Sequence, residues 1–287
     1  FTGWVWESLH DGQGRSLELI NAAASNKTGQ NWIASKFNGG TPGYANSQAE
    51  ADVPPFIRDV RHWPILPTSN DTVSIHAKVD DDSGAPPTKV LLHWRVDGSS
   101  FFSQAEMLDD GKADDGNAGN QVYGTSLAAQ PNGTIVEFYI ESSDGHGIRT
   151  WPAPTDDTGN QGANCLYQVY DAQDTGKNAP VYRLVMTSAE RARHLAADHR
   201  SDSMANATFI SSFDGEVKAR YLASVRYRGS GSRSNNPPPY RINLAGDKSW
   251  EGVTQLNINP VNWHNQLAGS AIFNQLGLPA SRAITID

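Results

Sequence analysis

Apolar residues in this chain come in short runs with a period of two. Val73, Ile75, Ala77 and Val79 alternate with polar neighbours, and Val90, Leu92, Trp94 and Val96 recur at the same spacing. That spacing puts one set of side chains on one face of a strand. SLELIN (16–21), NWIAS (31–35), FIRDV (56–60), TVSIHAKV (72–79), KVLLHWRV (89–96), QVYGTSL (121–127), TIVEFYIES (134–142) and CLYQVY (165–170) read as strands, divided by Gly, Pro, Asn and Asp turns. Trp4, Val5 and Trp6 predict one more.

The pattern changes after the polar linker DAQDTGKNAP (171–180). VYRLVM (181–186) reads as a strand. Thr187 with Glu190 is a capping box for a helix running to about Asp198. TFISSFDGEVKARYLASVRYRG (208–229) predicts a hairpin turning at Asp214-Gly215. PPPYRINL (237–244) and TQLNINP (254–260) predict strands, and Trp263–Leu276 a helix closed by Gly277 with Pro279 beyond. The expected fold is multidomain: all-β sandwiches followed by an α+β portion. The expected divisions are an incomplete domain at 1–50, a sandwich at 52–170, a linker at 171–180 and an incomplete domain at 181–287.

Composition narrows the function. A net charge of −8 and a pI near 5.4 argue against a general nucleic-acid role. No apolar run approaches the roughly 20 residues of a membrane-spanning helix. Cys165 is the one cysteine, which excludes an intrachain disulfide. Its strand context makes it a buried apolar residue rather than a nucleophile. The chain opens without Met and is expected to be a piece of a longer polypeptide.

The stretch SVRYRGSGSRSNNPPPYRINL (224–244) is the richest in chemistry. Alternation sends Val225 and Tyr227 to one face and Arg226 and Arg228 to the other. On the return, Tyr240, Ile242 and Leu244 share a face, and Arg241 and Asn243 take the opposite one. If the apolar sets meet in one core, the arginines converge beside Gly229, Ser230, Gly231 and Ser232. Guanidinium forks next to bare loop N–H groups make an anion cradle. The same residues also suit an exposed hairpin with solvated arginines. Neither a Walker Gly-Lys-Ser/Thr nor a kinase Gly-x-Gly-x-x-Gly is present.

A second candidate is LDDGKADDGNAGNQVYG (108–124), where Asp109, Asp110, Asp114, Asp115, Asn117 and Asn120 crowd one turn. Calcium takes flexible sets of carboxylate and amide oxygens, but this spacing fails the EF-hand template. A solvated acidic hairpin is the alternative. Asp80, Asp81 and Asp82 form a lesser acidic turn. His194 and His199 lie five apart on a helix and face different ways, a poor zinc pair. Trp4, Trp6, Trp94 and Trp151 suit core packing better than sugar binding.

Three resemblances add to this reading. DGQGRSLELIN (11–21), NW at 31–32 and GGTPGYANS (39–47) resemble the closing strands of a bacterial lamin-tail domain, an architectural immunoglobulin-like fold. Residues 52–170 resemble an immunoglobulin- or fibronectin-type-III-like module. From 179 to 287, VYRLVM, TFISSFDGEV, VRYRGSGSR, PYRINL, LNINP and GSAIFNQLGLPA resemble the front portion of the CotH (spore coat protein H) kinase family. That resemblance implies an atypical kinase-like fold on secreted or surface proteins, passing phosphate from ATP, with Mg²⁺, to Ser or Thr of a protein substrate. It puts Arg226, Arg228, Gly229, Ser230, Gly231, Ser232 and Arg241 on the nucleotide side. Arg241 stands near a position often held by Lys in the family, and the two are not interchangeable. The family's catalytic acids would lie beyond residue 287. Asp247, Glu251 and Asp287 read as turn or surface residues. The rival expectation is a structural or adhesive surface protein, self-assembling or bound to other surface proteins, with a vestigial kinase-like part.

Overall fold

A computed structural model describes residues 12–82, 84–156, 158–172, 179–198 and 200–286. The strand expected at Trp4–Trp6, most of the linker, His199 and Asp287 lie outside the described residues. The chain forms two compact units, Phe1–Asp171 and Ala172–Asp287. Strands in antiparallel sheets dominate both, with only two α-helices among the described residues. No helix of the described residues is long and apolar enough to cross a membrane.

Among the described residues, the first unit opens on a two-stranded ribbon, β1 (Arg15–Leu19) against β2 (Trp32–Asn38). Then β3 (Phe56–Trp63) pairs with β4 (Val73–Asp80), and β4 pairs with β7 (Val122–Leu127), giving a three-stranded sheet. A five-stranded sheet is built from β5 (Lys89–Val96), β6 (Ser103–Glu106), β8 (Ile135–Ser143), β9 (Ile148–Trp151) and β10 (Cys165–Gln168), in the order β10-β8-β5-β6 with β9 on β8. The β-sandwich character expected from the alternation is present. Val73, Ile75, Ala77 and Val79 are all buried, as are Val136, Phe138 and Ile140 on β8. Cys165 is fully buried, and burial pushes its thiol pKa up. The alternation on β5 fades at Trp94 and Val96, which are half-buried. Leu91 and His93 are covered on the other side, His93 stacking on Tyr139 with ring centroids 4.4 Å apart. The short edge strands β6 and β9 carry no alternation that the sequence would reveal.

The ribbon is tied to the sandwich through Gln30. Its Nε2 donates to the Ile57 carbonyl at 2.8 Å, and the Ile57 N–H donates to its Oε1 at 2.9 Å. Arg149 donates to the Gln30 carbonyl through Nη1 and to Pro54 O through Nε.

The second unit is an antiparallel five-stranded meander, β11 (Val181–Val185), β12 (Ala205–Phe213), β13 (Glu216–Tyr227), β14 (Tyr240–Asn243) and β15 (Gln255–Ile258). Helix α1 (Ser188–Ala196) lies between β11 and β12, and α2 (Trp263–Gln275) follows β15. The expected hairpin turns at Asp214-Gly215, both with positive φ (48° and 81°), as a two-residue type I′ turn demands. Thr187 caps α1 by accepting the Glu190 N–H at 3.2 Å. The Glu190 carboxylate is engaged elsewhere, by Arg193 and by the Asn206 N–H. Ala207, Phe209, Ala223, Val225, Ile242 and Leu244 form the core on one face of the sheet. His194 of α1 stacks on Tyr227 at 4.5 Å, on that same face.

Titration of one core group makes a prediction. His62 is 2% exposed and stacks on Tyr167, and its Nε2 carries the hydrogen donated to Ile65 O at 3.1 Å. Burial lowers its pKa from 6.5 to about 4. Below pH 6.5 the unfolded chain gains a proton at this ring that the folded unit refuses down to about 4. Stability present above pH 6.5 is therefore lost as pH falls through that window, by about 3 kcal/mol from this group. Urea unfolding of the first unit at a series of pH values should show that fall, and His62→Gln should flatten it.

Candidate functional site

The β13–β14 register decides where the arginines go. Val225 pairs with Ile242, Arg226 with Arg241 and Tyr227 with Tyr240, and the Arg228 N–H extends the ladder to Pro239 O at 3.0 Å. Because opposite residues share a face, the burial of Val225, Tyr227 and Ile242 leaves Arg226 and Arg241 together on the other side. The convergence expected from alternation is met for this pair.

Arg233 joins them. Residues Gly231–Ser234 make one 3₁₀ turn, and from it the Arg233 side chain reaches back to Gly229 O and across to Ser201 O. Asp202 lies between the guanidinium groups. Its Oδ1 accepts from Arg226 Nη1 and from Arg233 Nη2, both at 2.7 Å. The two arginine side chains are 14% and 13% exposed, whereas Asp202 is 70% exposed. The Arg233 hydrogen bond, with the charges of Arg226 and Arg241, holds the Asp202 carboxyl below the usual carboxylate range. Arg241 makes no hydrogen bond to Asp202, and its Nε is buried without a partner.

Arg228 stays on this face but turns its guanidinium to Asn259 Oδ1 at 2.7 Å, and Asn259 in turn donates to Gln266. Gly229, Ser230, Gly231 and Ser232 are exposed and form the rim. Gly229 needs its lack of a side chain: its φ is 94°, and an added Cβ would fall onto the Ser232 hydroxyl. Beside the arginines, cross-strand partners Asn206, Ser224, Asn243 and Gln255 form a polar row. Asn243 donates to Ser224 Oγ at 3.3 Å and accepts from Gln255 Nε2 at 3.0 Å. The sequence reading missed Asp202, Arg233 and this row. Asp202 sits in an SDS stretch with no periodicity; only the placement of β12 brings it to the arginines.

The 108–124 loop uses most of its acidic side chains to hold its own backbone. Asp109 accepts from the N–H groups of Gly119, Asn120 and Gln121. Asp110 accepts from Lys112 N and Nζ, and Asn120 bridges Asp115 O and Val122 N. Asp114 and Asn117 face solvent. Asp115 is the exception. It is 2% exposed, its Oδ2 accepts the Asp110 N–H, and its Oδ1 is buried without a partner. Its Cβ fills the space above Gly124, the cross-strand partner of His76. His76 Nδ1 is likewise buried and unpartnered.

A separate cluster gathers Asp81 and Asp82 of the lesser acidic turn with residues distant in sequence. Asp52, Asp144 and His146 have ligand atoms within 4.8 Å of one another, and so do Asp52, Asp81 and Asp82. His146 Nδ1 lies 2.8 Å from Asp52 Oδ2, and Asn21 donates to Asp82. Partial burial, and after it the neighbouring carboxylates, raise the Asp52 pKa despite His146. Oxygen and imidazole donors of this kind can hold a divalent cation. Asp80 stands apart, paired with Arg58 at 3.2 Å. Among the described residues no comparable group of three lies in the second unit.

Compared with known proteins, the sequence matches no family model and no curated protein.

The Asp109 brace is testable. Asp109→Ala leaves three backbone N–H groups without their acceptor. It should lower the unfolding free energy of the first unit by about 1–3 kcal/mol, read from the denaturant midpoint at constant slope.

Proposed function

We propose that the second unit is the phosphate-gripping part of a CotH-like kinase module. In this reading the intact module transfers phosphate from ATP to Ser or Thr of a protein substrate, within a bacterial extracellular or surface protein. One observation carries it: Arg226 and Arg241 face each other across the β13–β14 ladder, and Arg233 folds in from the intervening loop. Planar guanidinium donors suit phosphate oxygens, and the polar row beside them suits a ribose or hydroxyl. The residues present fit the phosphates of ATP. For Mg²⁺ the carboxylate among them is Asp202, already held by two arginines, so what these residues supply is phosphate binding.

Isothermal titration of the full chain with ATP tests it. Arg241→Ala should weaken binding by about tenfold or more, as expected for losing a charge-assisted hydrogen bond. Unchanged affinity would remove the assignment.

The second reading is a non-catalytic structural or adhesive surface protein with a vestigial kinase-like part, its β-sandwich stiffened by calcium. Asp115 favours it, since a buried carboxylate oxygen without a partner is a natural cation ligand. In a thermal-shift titration, millimolar calcium should raise the melting temperature of the wild type and not of Asp115→Asn. A rise kept by Asp115→Asn but lost in Asp52→Asn would move the site to the Asp52 cluster. No rise in any variant would remove calcium from both.

A further inference from the structure

Asp202 is an unusual resident of the arginine face. Two well-covered guanidinium groups converge on one of its oxygens, each giving a single Nη, while the rest of the side chain is open to solvent. The preferred arginine–carboxylate contact is a pair of parallel bonds to both oxygens, and neither arginine makes it here. Residues 201–204 that carry Asp202 have no regular structure. Swinging this carboxylate outward breaks no ladder hydrogen bond.

The charges do not balance. Arg226, Arg233 and Arg241 gather around one carboxylate. Glu190 of α1 is taken by Arg193 and the Asn206 N–H. Arg241 holds a buried Nε donor that Asp202 does not satisfy. A carboxylate offers two oxygens and one charge. A phosphoryl group offers three oxygens and close to two charges, enough to engage all three guanidinium groups at once.

Resting on the phosphate reading above, we propose that Asp202 is an internal stand-in for phosphate, which a phosphoryl dianion must displace to bind. It keeps Arg226 and Arg233 in place in the absence of ligand, and it sets a threshold that singly charged anions do not pass. Terminal phosphates of nucleotides and pyrophosphate cross that threshold; carboxylates and chloride do not.

The test is isothermal titration of the full chain with pyrophosphate at low ionic strength, using Asp202→Asn, Arg241→Gln and the double variant. Melting curves confirm that each is folded. Asp202→Asn alters a largely exposed side chain, and Asp202→Ser serves as its second version if the asparagine still bridges the arginines. Removing the stand-in should tighten pyrophosphate binding about five- to tenfold, and acetate should begin to compete. Arg241→Gln should weaken binding about tenfold without freeing Asp202, since the two share no hydrogen bond. The double variant should fall between. If both Asp202 variants leave affinity unchanged or lower it while Arg241→Gln still weakens it, the phosphate site stands and the displacement idea is overturned. If neither wild type nor Asp202→Asn binds millimolar pyrophosphate, the phosphate reading falls and this inference goes with it.

Discussion

Two guanidinium groups placed opposite each other on paired antiparallel strands repel, and the polar face of the second unit is organised around that repulsion. Like charges at cross-strand positions cost a sheet about 0.2–1 kcal/mol. The register cannot slip to relieve it, because a one-residue shift would carry Val225, Tyr227 and Ile242 out of the core. The apolar face therefore fixes the charged one. A nearby anion is the remaining remedy, and Asp202 supplies it from a neighbouring segment, hydrogen-bonded to Arg226 and within reach of the Arg241 charge. The loop contributes too: Arg233 ties Gly229 and Ser201 to the same carboxylate, so the rim and the acid hold each other in position.

Much of this was legible in the sequence. Period-two alternation marks most of the strands, and it puts Arg226 and Arg241 on one face. The Asp214-Gly215 turn, the Thr187 cap and the Gly277 stop were legible because each depends on backbone geometry that few residues allow. The edge strands β6 and β9 were not, being four residues each with mixed burial. Arg228 lies on the expected face, but its reach to Asn259 depends on where β15 ends. Asp202 and the grouping of Asp52, Asp144 and His146 depend on contacts between distant segments, which no local pattern encodes.

The acidic loop at 108–124 spends much of its polar side-chain capacity on its own backbone. Crowded Asp and Asn side chains suggested a ligand set. In the folded chain, Asp109 and Asn120 act as substitutes for backbone acceptors and donors in a turn whose own backbone pairs at Leu108–Gly124 and Lys112–Asp115. Asp114 stays in solvent, and Asp115 holds a buried oxygen that the protein does not use. The number of acids in a loop therefore says less about cation binding than the number whose oxygens the backbone leaves free.

The Gln30–Ile57 contact has a further consequence. β3 is the outer strand of its three-stranded sheet, and such a margin invites another chain to add itself by main-chain pairing. The Gln30 amide takes both the N–H and the carbonyl of Ile57, as a neighbouring strand would. At that point it is a one-residue counterfeit strand, and it closes the outer rim of the sheet to any chain that would extend it there.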